Sequence, residues 1–130
     1  MLGEGDTGPT TSATVETHWI QPQWPAPETV VAFSTTRLGG VSSAPYDSMN
    51  LGDHVGDDPA AVFANRTSLA HGSGSGCIQW LSQVHGGEVM QATQQSVAAV
   101  ASGAALPEAD ALFSRSDCVG CAVLTADCLP

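Results

Sequence analysis

The sequence predicts an α+β chain, on three observations. One segment carries the start, the periodicity and the stop of a helix, five short segments have the composition of strands, and glycine- and proline-rich connections separate them. The 130 residues suffice for one domain with a core and are too few for two comfortable ones. Residues 1–17 hold mostly Gly, Thr, Ser and acids, with little to bury, and read as a flexible leader. Residues 18–130 are read as the folded domain. In 18–27 three prolines disfavour regular structure, while Trp19 and Trp24 are placed to pin the segment onto the core.

Thr29–Thr35 is rich in β-branched and aromatic residues and reads as the first strand. The run RLGGVSSAPYDSMNLGDHVGDD that follows is full of turn formers, and loops this long inside a domain usually serve function. Asp57-Asp58-Pro59 then opens a helix, with an acid at the cap, proline in the first turn and negative charge facing the positive helix end. Val62, Phe63, Leu69 and Ala70 fall on one side at helical spacing, and Gly72 supplies the stop. Cys77–Val84 and Glu88–Thr93 read as two strands joined through His85-Gly86-Gly87, a turn that needs glycine. Residues 94–107, rich in Ala, Ser, Gln and Gly, read as a loop. Ala109–Ser114 and Val119–Ala126 read as two more strands. Termini are normally loose and polar, whereas this chain stops at Cys128-Leu129-Pro130 directly after an apolar strand; the expectation is a truncated domain. The alternative is a short chain whose last strand is a sheet edge.

There is no lysine, three arginines stand against thirteen acids, and the formal net charge is -10. Such a surface repels nucleic acid polymers and anionic membranes. A small anionic substrate stays open, because one well-placed arginine acts at short range. No stretch approaches the roughly 20 apolar residues of a membrane span, and the first residues lack the basic start and apolar run of a secretory signal. The expected compartment is the cytoplasm, where Cys77, Cys118, Cys121 and Cys128 are thiols or metal ligands rather than disulfides. No feature sets an oligomeric state.

His85 follows a strand and sits on a glycine-flanked turn, and Cys128 stands at the carboxyl end of another strand, behind Thr125-Ala126-Asp127. If the two strands share a sheet, imidazole and thiolate converge at its mouth, a pair suited to zinc, or to copper. A catalytic zinc site takes three protein ligands and one open position for a water that the metal acidifies. The chain offers two, and the third is expected beyond Pro130. By residue type alone a turn histidine is more often structural, and a lone cysteine is more often a small buried apolar group. Cys118-x-x-Cys121 is a weaker metal candidate, since strand alternation puts the two thiols on opposite faces unless a turn intervenes; Cys77 reads as core packing. Arg37 follows a strand and precedes Gly39-Gly40, so its fork can meet a carboxylate or phosphate, against the rival of an internal salt bridge. Asn50 reads as a brace within the loop, Asp127 as a partner to the metal ligands, and His54 as a residue near a pocket. His71 is explained by the helix dipole, and His18 belongs to the surface.

Three ordered blocks, FSTTRLGGVSSAPYDSMNLGDHVGDD, WLSQVHGGEV and ADALFSRSDCVGCAVLTADCLP, make residues 30–130, apart from the poorly matching 94–107, resemble the laccase-domain proteins, also called the multicopper polyphenol oxidase family. The resemblance implies an α+β fold of layered mixed β-sheets with flanking helices, of which this chain is an incomplete, truncated domain. It also implies purine nucleoside phosphorylase activity on adenosine, inosine and methylthioadenosine, together with adenosine deaminase activity. In that family a metal is held by the histidine of QVHG, the cysteine of ADC and a histidine in a later HAGWRG block. The first two correspond to His85 and Cys128, and the third block is absent, so the chain alone is expected to be inactive. Arg37 and Asn50 match family positions and, with His54, are the expected contacts to nucleoside and phosphate. Asp127 and His54 are the residues left to handle protons. Copper-dependent oxidation of phenols is a rival activity, poorly served by four scattered histidines. A hydrolase with Cys128 as nucleophile and His85 as base is a second, and an inert fragment that binds a partner through an edge strand is a third.

Overall fold

Helix α1 spans Pro59–Ser73 in the computed structural model, which describes residues 18–126. Its start follows from the sequence. The Asp58 carboxylate caps it by accepting the Ala60 N–H at 3.0 Å, and Pro59 takes a first-turn position that needs no N–H. The stop comes later than expected, at Gly74, whose left-handed φ of 73° lets its N–H reach the His71 carbonyl. Gly72 has another role: a Cβ there would lie 2.7 Å from the Trp19 ring, so glycine is what admits the indole. That indole stacks on Phe33, centroids 4.2 Å apart, and both pack against the core of Met49, Leu51 and Leu69. Trp24 does not join them and is 56 % exposed.

The buried stripe of α1 is Val62, Asn65 and Leu69, at i, i+3 and i+7. Phe63 was expected on it, but one residue further turns the side chain by about 100°, and Phe63 is 73 % exposed. Burying Val62 and Leu69 stabilises the fold by about 1.5–3 kcal/mol each.

Among the described residues the strands form two small parallel ladders. β1 (Ile78–Gln79) pairs with β4 (Gly120–Cys121), and β2 (Val89–Ala92) pairs with β3 (Ala111–Ser114). Isolated bridges join Ile20 to Ser34, antiparallel, and Ser82 to Glu108, parallel. The fold is therefore α+β as the sequence predicts, with three local corrections. Among the described residues, Thr29–Thr35 contributes only the Ser34 bridge, because the Val30 N–H folds back onto the Pro27 carbonyl and no further described strand pairs alongside. The segments around His85 do not form a hairpin: one continues against 107–109 and the other against β3, each finding a parallel partner elsewhere. Residues 94–107 are not all loop, since Gln94–Ala101 form helix α2. Its start is a reciprocal cap in which Thr93 accepts the Ser96 N–H and Ser96 accepts the Thr93 N–H, followed by alanines of high helix propensity. Ser96 also donates to the buried Gln79 side chain at 2.7 Å, which docks α2 on β1. Among the described residues no helix is long and apolar enough to cross a membrane. The 1–17 leader lies outside the described residues.

Candidate active site

His85 stands on the connection from β1 to β2, with a left-handed φ of 58° that is uncommon for a residue with a Cβ. What holds it there is Asp110, immediately ahead of β3. One carboxylate oxygen accepts the Val84 N–H at 3.0 Å and the His85 N–H at 2.7 Å, and the other accepts the Gly86 N–H at 2.7 Å. The Asp110 N–H donates to the Glu88 carbonyl at 3.1 Å, which closes the turn from its far side. These bonds, that from Gly86 foremost, hold the Asp110 carboxyl below its usual range. The His85 side chain is exposed and, among the described residues, makes no hydrogen bond or ion pair.

Two residues before His85, the Gln83 amide acts as a piece of backbone. Its Nε2 donates to the Leu124 carbonyl at 3.1 Å, and its Oε1 accepts the Leu124 N–H at 2.7 Å. The strand end that carries His85 is thereby tied to the segment that leads into Thr125-Ala126. Asp127 and Cys128 lie outside the described residues.

Arg37, Asn50 and His54 share one loop. Arg37 is 69 % exposed; its Nε donates to the Asp47 carbonyl at 2.8 Å and its NH2 lies 3.8 Å from the Asp47 carboxylate. The Asn50 amide is used inside the loop, donating to the Gly52 carbonyl and to Asp57 and accepting the Gly52 N–H. His54 is exposed, its Nδ1 3.7 Å from Asp53. Among the described residues no hydrogen bond or ion pair joins this loop to the His85 turn.

The residues that shape the loop escape a reading by residue type. Asn65 of α1, 1 % exposed, donates to Ser42 Oγ and to the Ser48 and Asn50 carbonyls, and accepts the Val41 N–H at 2.8 Å. Asp57 accepts from Ser42 Oγ at 2.6 Å and from Asn50 at 3.0 Å, and these bonds, Ser42 first, lower its pKa from the ordinary 3.8. Gly40 admits the loop to itself: a Cβ there would run into the Ser48 carbonyl, Met49 Cα and Asn65 Oδ1. Arg66 lies 4.2 Å above the Trp80 ring, donates through Nε to the Leu51 carbonyl at 2.8 Å, and stands 3.5 Å from Asp53. Burial lowers its pKa, and Asp53 partly offsets that. The usable signal was spacing: Asn65 sits in the apolar stripe of α1, and a polar side chain there needs several partners.

Among the described residues no three His, Cys, Asp or Glu side chains cluster as a metal site. Cys118 is exposed beside a turn, Cys77 is half-buried just ahead of β1, and burial raises the Cys121 thiol pKa. The donor chemistry of His85 fits a metal ion. Its imidazole is not consumed by the described fold and its backbone is fixed on both sides.

The model of the multi-copper polyphenol oxidoreductase laccase family matches residues 31–130. The purine nucleoside phosphorylase YfiH of Escherichia coli is 48 % identical over 112 residues, 85 % of this chain and 43 % of that protein. A purine nucleoside phosphorylase of Pseudomonas aeruginosa is 48 % identical over 113 residues, 86 % of this chain and 42 % of its own length. Among solved structures, a Neisseria meningitidis protein superposes with a TM-score of 0.73 at 40 % identity, covering 85 % of this chain and 43 % of that one. YlmD from Geobacillus stearothermophilus gives 0.64 at 31 %, covering 76 % and 38 %. The chain thus spans about two fifths of the length of these relatives.

Proposed function

This chain belongs to the multi-copper polyphenol oxidoreductase laccase family, and from that premise we propose that it serves a metal-dependent purine nucleoside phosphorylase of the cytoplasm. The substrates are adenosine, inosine or methylthioadenosine with phosphate, and adenosine deamination is a second activity of the same site. Residues 18–130 are its catalytic-domain portion. His85 and Cys128 hold the metal, zinc in the first instance and copper as the alternative. A bound zinc ion supplies Lewis acidity and lowers the pKa of water.

The chain's own residues then divide the remaining work. Phosphorolysis needs phosphate held against the anomeric carbon while positive charge develops on the ribose. Arg37 suits the anchoring, because its guanidinium is exposed and its Nε bond to the Asp47 carbonyl fixes the stem, while the Asp47 carboxylate, 3.8 Å from NH2, is the partner a phosphate would displace. Asn50 and Asp57 keep that loop in shape, and His54, exposed at its end, is the proton carrier together with Asp127. The HAGWRG block has no counterpart in the sequence, so turnover is expected of a protein that contains it and not of these 130 residues alone.

The observation that carries the reading is the Gln83 clamp on Leu124. It holds the His85 turn beside the segment that continues, four residues on, to Cys128. The test has two arms. Zinc titration of the chain should give one thiolate-ligated ion, lost in His85→Ala and in Cys128→Ala. A protein carrying these residues with the HAGWRG block, given inosine and phosphate, should release free base and ribose 1-phosphate. A folded, metal-loaded sample without product would remove the proposal, and alkylation of Cys128 with no metal bound would favour the hydrolase instead.

A further inference from the structure

We propose that Asp110 is a positioning residue for the metal site: through three backbone N–H groups it fixes the Val84–His85–Gly86 turn in the conformation that aims the His85 imidazole. The inference rests on the reading of His85 as a metal ligand and adds a residue to it. A ligand on a loop is useful only if its backbone is held, because a histidine free to swing loses entropy on binding. Secondary structure does not hold this one. β1 ends at Gln79 and β2 begins at Val89, so the turn lies outside both ladders.

Asp110 takes the place of a ladder. Three consecutive N–H groups converge on its two oxygens, and the central one belongs to the residue in the left-handed conformation. Consecutive amides that curl around one anion form a concave nest, and here the anion is supplied by the chain. A carboxylate is suited to this, since each oxygen accepts more than one bond, while a carboxamide offers a single oxygen and would turn an NH2 toward the remaining amide. Asp110 is in turn placed by its own N–H on the Glu88 carbonyl and by the register of β3 on β2. The backbone from which the imidazole projects is therefore set by the sheet, at one remove. Asp110 touches neither substrate nor metal in this arrangement and acts only through the backbone of His85.

The experiment uses the whole chain, cobalt(II) as a spectroscopic stand-in for zinc, and amide hydrogen exchange. Asp110→Asn keeps the size of the side chain, and Asp110→Glu keeps its charge at a longer reach. Thr93→Ala, which removes the α2 cap remote from the site, serves as a variant weakened in stability alone. Asp110→Asn should speed exchange at Val84, His85 and Gly86, and weaken cobalt binding by about 10- to 100-fold, the range for residues that orient a ligand. Thr93→Ala, with a comparable loss of melting temperature, should leave cobalt affinity as in the parent, and Asp110→Glu should fall between. Faster exchange with unchanged cobalt affinity would overturn the positioning role and leave His85 as a ligand. Unchanged exchange in Asp110→Asn would overturn it as well. If the parent chain binds no cobalt through thiolate and His85→Ala changes nothing, the reading of His85 falls first and takes the proposal with it.

Discussion

The loop from Arg37 to Asp57 and the turn around His85 are both held without strands, yet by opposite means. The loop is pinned from below by Asn65, a buried neutral amide on a helix, whose bonds reach Val41, Ser42, Ser48 and Asn50. The turn is pinned from the side by Asp110, a carboxylate near the surface, with Gln83 tying its approach to Leu124. Burial decides what each clamp is worth. A buried amide that loses its partners strands several dehydrated groups, whereas groups released near the surface are met by water. The first clamp therefore belongs to the stability of the fold, and the second to the geometry of the turn that carries His85.

Breaking the first clamp should give the largest effect. Asn65→Ala leaves the Val41 N–H and two carbonyls without their partner, and about 2–4 kcal/mol of unfolding free energy should be lost in a urea titration. A loss below about 1 kcal/mol would show that water replaces the amide and would erase the contrast. Gly40→Ala tests the same region from the other side. Its methyl would meet backbone at Ser48 and Met49, which has no freedom to swing away, so a cost of about 1–3 kcal/mol is expected.

The second clamp should show the reverse balance. Gln83→Ala removes two hydrogen bonds to Leu124 at a half-buried position, and about 1 kcal/mol of stability should go. Zinc affinity, read by competition with a chromophoric chelator, should fall by more than that loss of stability accounts for. Equal falls in Asn65→Ala and Gln83→Ala would mean that fold and site are not separable here.

Helix α1 was legible because its signals are local: Asp58 as cap, Pro59 at the first turn, and apolar residues at helical spacing. The existence of strands near 78, 89, 111 and 120 was legible for the same reason. Their partners were not, since pairing β1 with β4 and β2 with β3 depends on contacts between residues far apart in the chain. The glycines after His85 suggested a hairpin; the deciding residue, Asp110, lies 25 positions on. Helix α2 was missed because Ala, Ser and Gln look like filler, although Thr93-x-x-Ser96 marks its start. For the proposed site, His85, Arg37, Asn50 and His54 stand out by residue type and family pattern. The groups that hold them, Asp110, Gln83, Asn65 and Asp57, could not, since their work is hydrogen bonding to distant backbone.

The smallest expected effect sharpens the comparison by pH. The bonds from Ser42 and Asn50, and lastly from the Asp58 N–H, favour ionised Asp57, so its carboxyl titrates lower in the folded chain than the ordinary 3.8 of the unfolded one. A depressed carboxyl contributes stability that is fully present above the unfolded value and is lost as pH falls through the folded one. Between pH 7 and about pH 5 the contribution of Asp57 should therefore be flat, and below about pH 4 it should fade. In Asp57→Asn the side chain cannot ionise. The variant should unfold at lower urea than the parent at neutral pH, and the gap should close as the solution is taken below pH 4. A gap that stays constant down to pH 2.5 would mean that Asp57 braces the loop by shape alone, with its charge immaterial to the fold.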